Sequence, residues 1–388
     1  MPRFRFTLPL LPVALAGTLA PVPVLAVGPA DEMEEVDDQA EIAASLAVAS
    51  ISNRKQGKGA DVLAVPLPIT NPTLGTGIVA AGVAFYNPND APSPWITGAA
   101  AMKTNQGNWM VGALHSMSLD HDRYRVSAAL GTGKLIMKFY GIGADAGDRG
   151  DSIQLHERFT ALRLQGQARV AGRLYAGARG LLLKMDAQPA EEDGQLADLV
   201  PSQRQLDGTL VLLGPSVSFD TRDDTLNPRQ GLYAHAEWLL GMGVLGSDYR
   251  MSKLTAGSSY YVPTGPRTTW ALHAGLCAAA DAPFYAMCLY GQKSDLRGYA
   301  SGRYRDGASW ALQGEWRRRL AGRFGMVAFA GIGGIAPSLG RIGESNFLPS
   351  AGAGLRFRPS RQTNVNLRLD LAVGWKSQGL YLGIAEAF

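Results

Sequence analysis

The chain has 388 residues, of which 18% are charged and 47 are glycine, with a formal net charge of +4. Its mean hydropathy is near zero, and after the N-terminal stretch no run of about 18 apolar residues offers a membrane-spanning helix. The positive charge is spread without a basic block, which leaves no nucleic-acid footprint, and two cysteines, Cys277 and Cys288, exclude a disulfide-rich scaffold and a zinc ribbon.

Arg3 and Arg5 precede the apolar run from Leu8 to Ala20, and Val24-Leu25-Ala26 offers a small-residue cleavage site, so residues 1–26 read as an export signal. Pro9, Pro12, Pro21 and Pro23 argue against an uncleaved spanning helix. Residues 27–61 read as a short periplasmic segment. It opens with an acidic stretch, Asp31 to Glu41, and continues through Ala-rich sequence with Ile42, Leu46 and Val48. A short helix starting near Asp31 and a flexible tail fit this segment equally.

From Val62 onward the chain is a series of strand-length segments with no helical period. The clearest sets Val365, Leu367, Leu369, Leu371, Val373 and Trp375 against Asn364, Asn366, Arg368, Asp370, Ala372 and Lys376. One face is apolar and the other charged, over the length that a tilted strand needs to cross a bilayer. Trp375 would sit at a headgroup boundary. Likewise Trp238 and Leu240 oppose His235 and Glu237, and Trp310, Leu312 and Trp316 oppose Gln313, Glu315 and Arg317. A soluble sandwich alternates too. Charges at mid-strand, aromatics at strand ends and a last residue, Phe388, that reads as a C-terminal targeting signal favour a membrane barrel with a wet lumen.

Sixteen crossings follow, near residues 75–86, 95–104, 107–118, 122–131, 133–141, 156–169, 172–186, 206–220, 231–243, 248–262, 268–280, 308–320, 323–336, 347–358, 363–375 and 379–388. The expected fold is all-β: a sixteen-stranded antiparallel transmembrane β-barrel over residues 62–388. An even count puts both chain ends on the periplasmic side and the connection between the eleventh and twelfth strands outside. That connection includes Asp295 to Asp306, with three arginines, two aspartates and almost no aliphatic residue. A long charged loop between two strands usually has a function. On residue type alone, Arg297 is either paired inside the barrel or a solvated loop charge.

Leu296-Arg297-Gly298-Tyr299 resembles the signature tetrapeptide in the sixth surface loop of the BamA/TamA outer-membrane assembly family, also called the bacterial surface antigen superfamily. Asp220-Thr221-Arg222-Asp223, followed by Pro228 and Gly231, resembles its second pattern, a periplasmic turn. Tyr140-Gly141-Ile142-Gly143 resembles a third, seen in shorter members. The similarity covers residues 66–388. It implies that the loop arginine reaches into the lumen and pairs with groups on the next two strands. Here those are Glu315 on the twelfth strand and Phe329 on the thirteenth, both on inward faces. The chain departs from the family pattern in three ways. The acidic residue expected two positions after Phe329 is Gly331, which leaves Glu315 as the main partner. Glu386 falls on the nominally lipid-facing side of the last strand. Residues 27–61 are too few for a POTRA domain.

The resemblance implies protein insertion or translocation across the outer membrane, through a weak seam between the strands at 75–86 and 379–388. The implied partners are outer-membrane lipid, client proteins and a periplasmic or POTRA-bearing helper. A passive channel or structural surface barrel that kept the fold without the assembly role is the rival reading. No cofactor or enzymatic activity is implied. The five histidines have no metal spacing, and no nucleophile elbow occurs. Gly241 to Gly246 matches a dinucleotide fingerprint but lacks the following helix, so it reads as a surface loop. Arg149-Gly150-Asp151 reads as an ordinary turn. Cys277 and Cys288 fit a disulfide and two free thiols equally.

Overall fold

The computed structural model describes residues 61–71, 73–86, 88, 95–190, 200–225, 227–291, 296–300, 302–359 and 365–388. The expected export signal, the segment up to residue 60 and loop residues 292–295 lie outside the described residues.

Sixteen strands close into one barrel. They are β1 (Asp61–Asn71), β2 (Gly75–Tyr86), β3 (Trp95–Thr104), β4 (Trp109–Leu119), β5 (Tyr124–Phe139), β6 (Ile153–Ala171), β7 (Leu174–Pro189), β8 (Asp207–Asp220), β9 (Gly231–Gly241), β10 (Ser252–Gly265), β11 (Thr268–Ala280), β14 (Ala308–Arg319), β15 (Phe324–Ala336), β16 (Leu348–Phe357), β17 (Leu367–Gly374) and β18 (Ser377–Ile384). Two three-residue strands, β12 (Cys288–Tyr290) and β13 (Tyr304–Asp306), pair with each other inside the connection from β11 to β14. One end of the barrel carries tight turns, such as 172–173 and 266–267. The other carries the longer connections, 140–152, 242–251, 281–307 and 337–347.

The total agrees with the sequence reading, but two strands differ. Residues 61–71 form β1, which was not expected as a strand. The segments near 122–131 and 133–141 are one strand, β5. Pro66 and Pro68 disguised β1, because proline has no N–H for a ladder and suits only an edge-like strand. Gly131 and Gly133 resembled a turn. Gly133 is instead a point of close strand approach, where a Cβ would lie 2.5 Å from the Trp109 carbonyl oxygen, and Gly131 pairs with Gly112 within the ladder. The seam is therefore between β1 and β18, not between the 75–86 strand and the last one. β2 is fully paired on both sides.

Alternation puts apolar side chains outward. Leu369, Leu371, Val373 and Trp375 are exposed while Asp370 and Ala372 are buried, and Trp238, Trp270, Leu272 and Leu312 are exposed on other strands. A continuous apolar outer band suits hydrocarbon. The expected polar lumen is densest on one side. Inward residues of β14, β16 and β17 include Gln313, Glu315, Arg317, Arg356 and Asp370, whereas those of β2 to β8 include Val83, Met110, Leu135, Leu155, Leu183 and Leu210. The lumen thus has a charged half-wall and a half-wall that is mainly apolar toward the long-connection end, although Glu157 is buried there and Gln167 donates to Ser216 and Arg179 to Gln165 nearer the tight turns.

Candidate functional site

The long connection between β11 and β14 folds inward and meets both half-walls. On the apolar side, Phe284, Tyr285 and Ala286 are buried, and the Phe284 ring lies 5.1 Å from that of Phe139 on β5. Burying this surface offsets much of the entropy lost when a long loop is ordered. On the charged side, Arg297 is 1% exposed.

Arg297 uses its whole guanidinium. Nη2 donates to Gln313 Oε1 at 3.0 Å and to Glu315 Oε2, Nε donates to Gln313 Oε1 at 3.2 Å, and Nη1 donates to Asp370 Oδ2 at 2.6 Å. Its carbon lies 3.5 Å from the centre of the Phe329 ring. The planar fork suits two carboxylates and an aromatic face together, which an ammonium could not match. Gln313 and Glu315 come from β14, Phe329 from β15 and Asp370 from β17, so the loop tip bridges three strands of the charged half-wall.

Around it the charges continue as a network. Glu315 Oε1 accepts from Arg317 Nε at 2.6 Å. Asp370 accepts from Arg356, and Arg356 Nε donates to Glu386 Oε2 at 2.7 Å. Three guanidiniums, Arg297, Arg317 and Arg356, thus face three carboxylates. Such a buried network tolerates its own desolvation only because each charge is paired, and removing one partner leaves a costly orphan.

The rest of the tetrapeptide seats the tip. Leu296 is fully buried against Gly331. Gly298 has φ 112°, and its N–H donates to the Tyr381 hydroxyl at 2.9 Å. Tyr299 donates through its hydroxyl to the Pro349 carbonyl at 2.6 Å and accepts from the Trp375 N–H at 2.8 Å. Above the tip, Gly143 N–H donates to the Arg305 carbonyl at 2.8 Å, which joins the Tyr140 to Gly143 stretch to the same loop.

The Omp85 superfamily domain model matches residues 73–388. The chain belongs to the Omp85 superfamily. Among solved structures, this Omp85 barrel is similar to BamA from Haemophilus ducreyi lacking POTRA domains 1-3, with a TM-score of 0.57 and 12% identity over 85% of this chain and 71% of that one. It is also similar to CdiB from Escherichia coli, with a TM-score of 0.55 and 13% identity over 86% and 68% of the two chains. At these identities the likeness concerns the fold. No curated protein sequence matches the chain.

At the tight-turn end, the other Omp85-like pattern builds the β8–β9 turn. Arg222 donates through Nε and Nη2 to both oxygens of Asp220, at 3.0 and 2.8 Å, and its guanidinium lies 4.3 Å from the Tyr233 ring centre. Asp223 Oδ1 accepts from the Arg229 N–H at 2.9 Å and from the Gln230 N–H at 3.2 Å. Pro228 is buried in the turn, and Gly231 opens β9 at φ 109°. This cluster does not contact Arg297.

Two expectations about the end of this Omp85 chain are corrected. β18 stops at Ile384 rather than running to Phe388. Glu386 faces the lumen, not lipid, with Oε1 accepting from Asn366 at 2.6 Å and Oε2 from Arg356. A carboxylate near lumen arginines is better solvated inside than against hydrocarbon. Phe388 is inside as well, its ring 5.1 Å from that of His273 and its carbonyl accepting from Arg317 Nη2 at 2.8 Å. Cys277 and Cys288 are joined as a disulfide, which ties the start of the loop to β11. Gly241 to Gly246 forms a surface turn with a short 3₁₀ segment, and Gly150 ends the helix at Ala144–Arg149.

The sequence reading did not identify Asp370 as a partner of Arg297. Asp370 stood on the polar face of the clearest strand. The family resemblance points only to the two strands that follow the loop, and Asp370 lies beyond them on β17.

Proposed function

We propose that this Omp85 barrel inserts or translocates polypeptides at the outer membrane through a gap between β1 and β18. The observation that carries this reading is the seam. Among the described residues, β1 and β18 are in register at one pair, Thr70 with Leu382. β17 and β18 share eight pairs, and β1 and β2 share eleven. Unpaired N–H and C=O groups on facing edges are a template for an incoming strand. β17 and β18 are also short, at eight residues each, below the roughly nine to eleven needed to span a bilayer. Shallow strands beside a weak seam lower the cost of opening there.

On this reading the periplasmic face is the tight-turn end, clients are unfolded outer-membrane or secreted polypeptides, and a POTRA-bearing helper supplies capture. Phe388 acts as a targeting residue in the unassembled chain, before the closed barrel encloses it. Arg297 and its partners form a strut that keeps the charged half-wall rigid while the seam flexes.

A second reading, a closed structural surface barrel, is favoured by the loop that folds inward and seats Arg297 against the lumen wall. The experiment that separates the two is a seam lock. Thr70→Cys with Leu382→Cys, oxidised in the membrane, should abolish insertion of a client barrel into vesicles and leave folding intact. Full insertion activity in the locked protein would reject the gap mechanism. No activity in locked and unlocked protein alike, with helper present, would favour the structural reading.

A further inference from the structure

The tight-turn mouth of the barrel holds a group of arginines that the Arg297 network does not use. Arg318 and Arg319 end β14, Arg323 lies in the β14–β15 turn, Arg267 in the β10–β11 turn, Arg358 after β16 and Arg229 in the β8–β9 turn, and all six line one cleft. Their side-chain hydrogen bonds run mainly to backbone carbonyls. Arg229 donates to Gly265 at 3.0 Å and Pro266 at 3.2 Å, Arg319 to Pro266 at 2.9 Å and Arg323 to Pro359 at 2.8 Å. Among the described residues, the carboxylate lining the cleft is Glu386, already held by Arg356 at 2.7 Å. Arg319 lies in the repulsive field of Arg229, Arg358 and Arg267. Six gathered guanidiniums with no carboxylate bonded to their side chains among the described residues favour an anionic occupant.

We propose that the acidic stretch Asp31 to Glu41 of the same chain docks in this cleft. It carries seven carboxylates in eleven residues: Asp31, Glu32, Glu34, Glu35, Asp37, Asp38 and Glu41. The tether reaches. β1 begins at Asp61, opposite Phe85 and so at the tight-turn end. The wall order from β1 runs β18, β17, β16, β15, β14, which puts the cleft roughly 15–25 Å away at about 4.8 Å per strand. Residues 42–60 span up to about 65 Å when extended and about 25 Å as a random coil. A tether of this length gives an effective concentration in the millimolar range, so individually weak ion pairs suffice.

The test uses the full chain in nanodiscs of zwitterionic lipid, with spin labels at Asp37→Cys and Ala321→Cys, the native cysteines being bonded to each other. Docking gives a narrow, short distance at low salt. That distance broadens at about 0.5 M salt and in the triple variant Arg319→Gln, Arg323→Gln, Arg358→Gln. A peptide of residues 31–41 should bind this triple variant about tenfold more weakly than the parent arginines when its own tethered copy is neutralised. A distribution already broad at low salt and unchanged by the triple variant overturns the proposal. So does loss of the narrow distance when phosphatidylglycerol replaces zwitterionic lipid, because the cleft would then be taken by lipid phosphate. Should the triple variant fail to assemble, changing the seven carboxylates to amides leaves the barrel untouched and must free the label. None of these readouts depends on insertion activity, so their failure and failure of the gap mechanism are distinguishable.

Discussion

Leu296 stands where a side chain on Gly331 would have to go. Its Cδ1 occupies the space of the missing Cβ, and Leu296 itself is fully buried. The first residue of the loop tetrapeptide and the bare backbone of β15 are therefore one fitted contact. It also explains why no carboxylate stands at this position. The second carboxylate on Arg297 comes from β17 instead, as Asp370.

Gly331→Ala should unseat Leu296 and with it the loop tip. Overpacking of this kind costs about 1–3 kcal/mol. The unboiled band on a gel should convert to the unfolded form at lower temperature than in the parent protein. Gly331→Ala combined with Leu296→Ala should recover part of the loss, since the second change vacates the contested space. An unchanged conversion temperature for Gly331→Ala would show that the loop is not seated there.

Arg297→Ala, Glu315→Gln and Asp370→Asn should each lower heat resistance, by up to about 3–5 kcal/mol for a buried pair with one partner removed. Arg297→Ala should be the mildest of these, because Arg317 and Arg356 still neutralise the two carboxylates. Each double change with Arg297→Ala should cost less than the sum of its singles, because the two share one interaction. Additivity within that cycle would place Arg297 outside the network.

Gly298→Ala tests the tip by geometry rather than charge. The residue has φ 112°, and a Cβ there would lie 2.9 Å from the Val373 carbonyl carbon. Strain of about 1–2 kcal/mol from the backbone alone, plus the clash, should lift the tip. Protease added from outside should then cut within 288–305, while the parent loop resists. Equal resistance in both would reject the idea that backbone shape seats the tip.

Asp122, in the turn between β4 and β5, gives a pH-dependent prediction. Burial alone would raise its carboxyl pKa, but hydrogen bonds from Arg125, Tyr175 and Ser118 outweigh that and hold it well below the usual carboxylate range. The folded pKa lies below the unfolded value of about 3.9. The stabilisation is therefore full above that pH and is lost as pH falls further, through the folded pKa. Asp122→Asn should melt lower than the parent at pH 7, and the gap should narrow below about pH 4. A gap independent of pH from 7 down to 3 would mean that the charge at Asp122 contributes nothing.

Strand identity was legible wherever one face met lipid and the other met charge. Residues 367–374 and 308–319 declared themselves in this way, because alternation is what a half-buried strand needs. β1 did not, since Pro66 and Pro68 mimic a linker. β5 was split at Gly131 and Gly133 because close strand approach and a turn ask for the same residue. The loop arginine was legible from its tetrapeptide. Its partner Asp370 lies 73 residues away in the chain, and no local pattern states which inward carboxylate a folded loop will meet. The inward turn after Ile384 was also invisible, because Glu386 and Phe388 continue the alternation of the strand they leave.

The disulfide sets the length of a leash. While Cys277 and Cys288 are joined, their Cα atoms stay 5.7 Å apart. Reduced, the same eleven peptide units could pay out to roughly 37 Å. The reach of the loop tip is thus fixed upstream of Arg297 by the redox state of its surroundings. In an oxidising compartment the tip swings from Cys288, held beside β11, and the residues between the two cysteines add nothing to its reach.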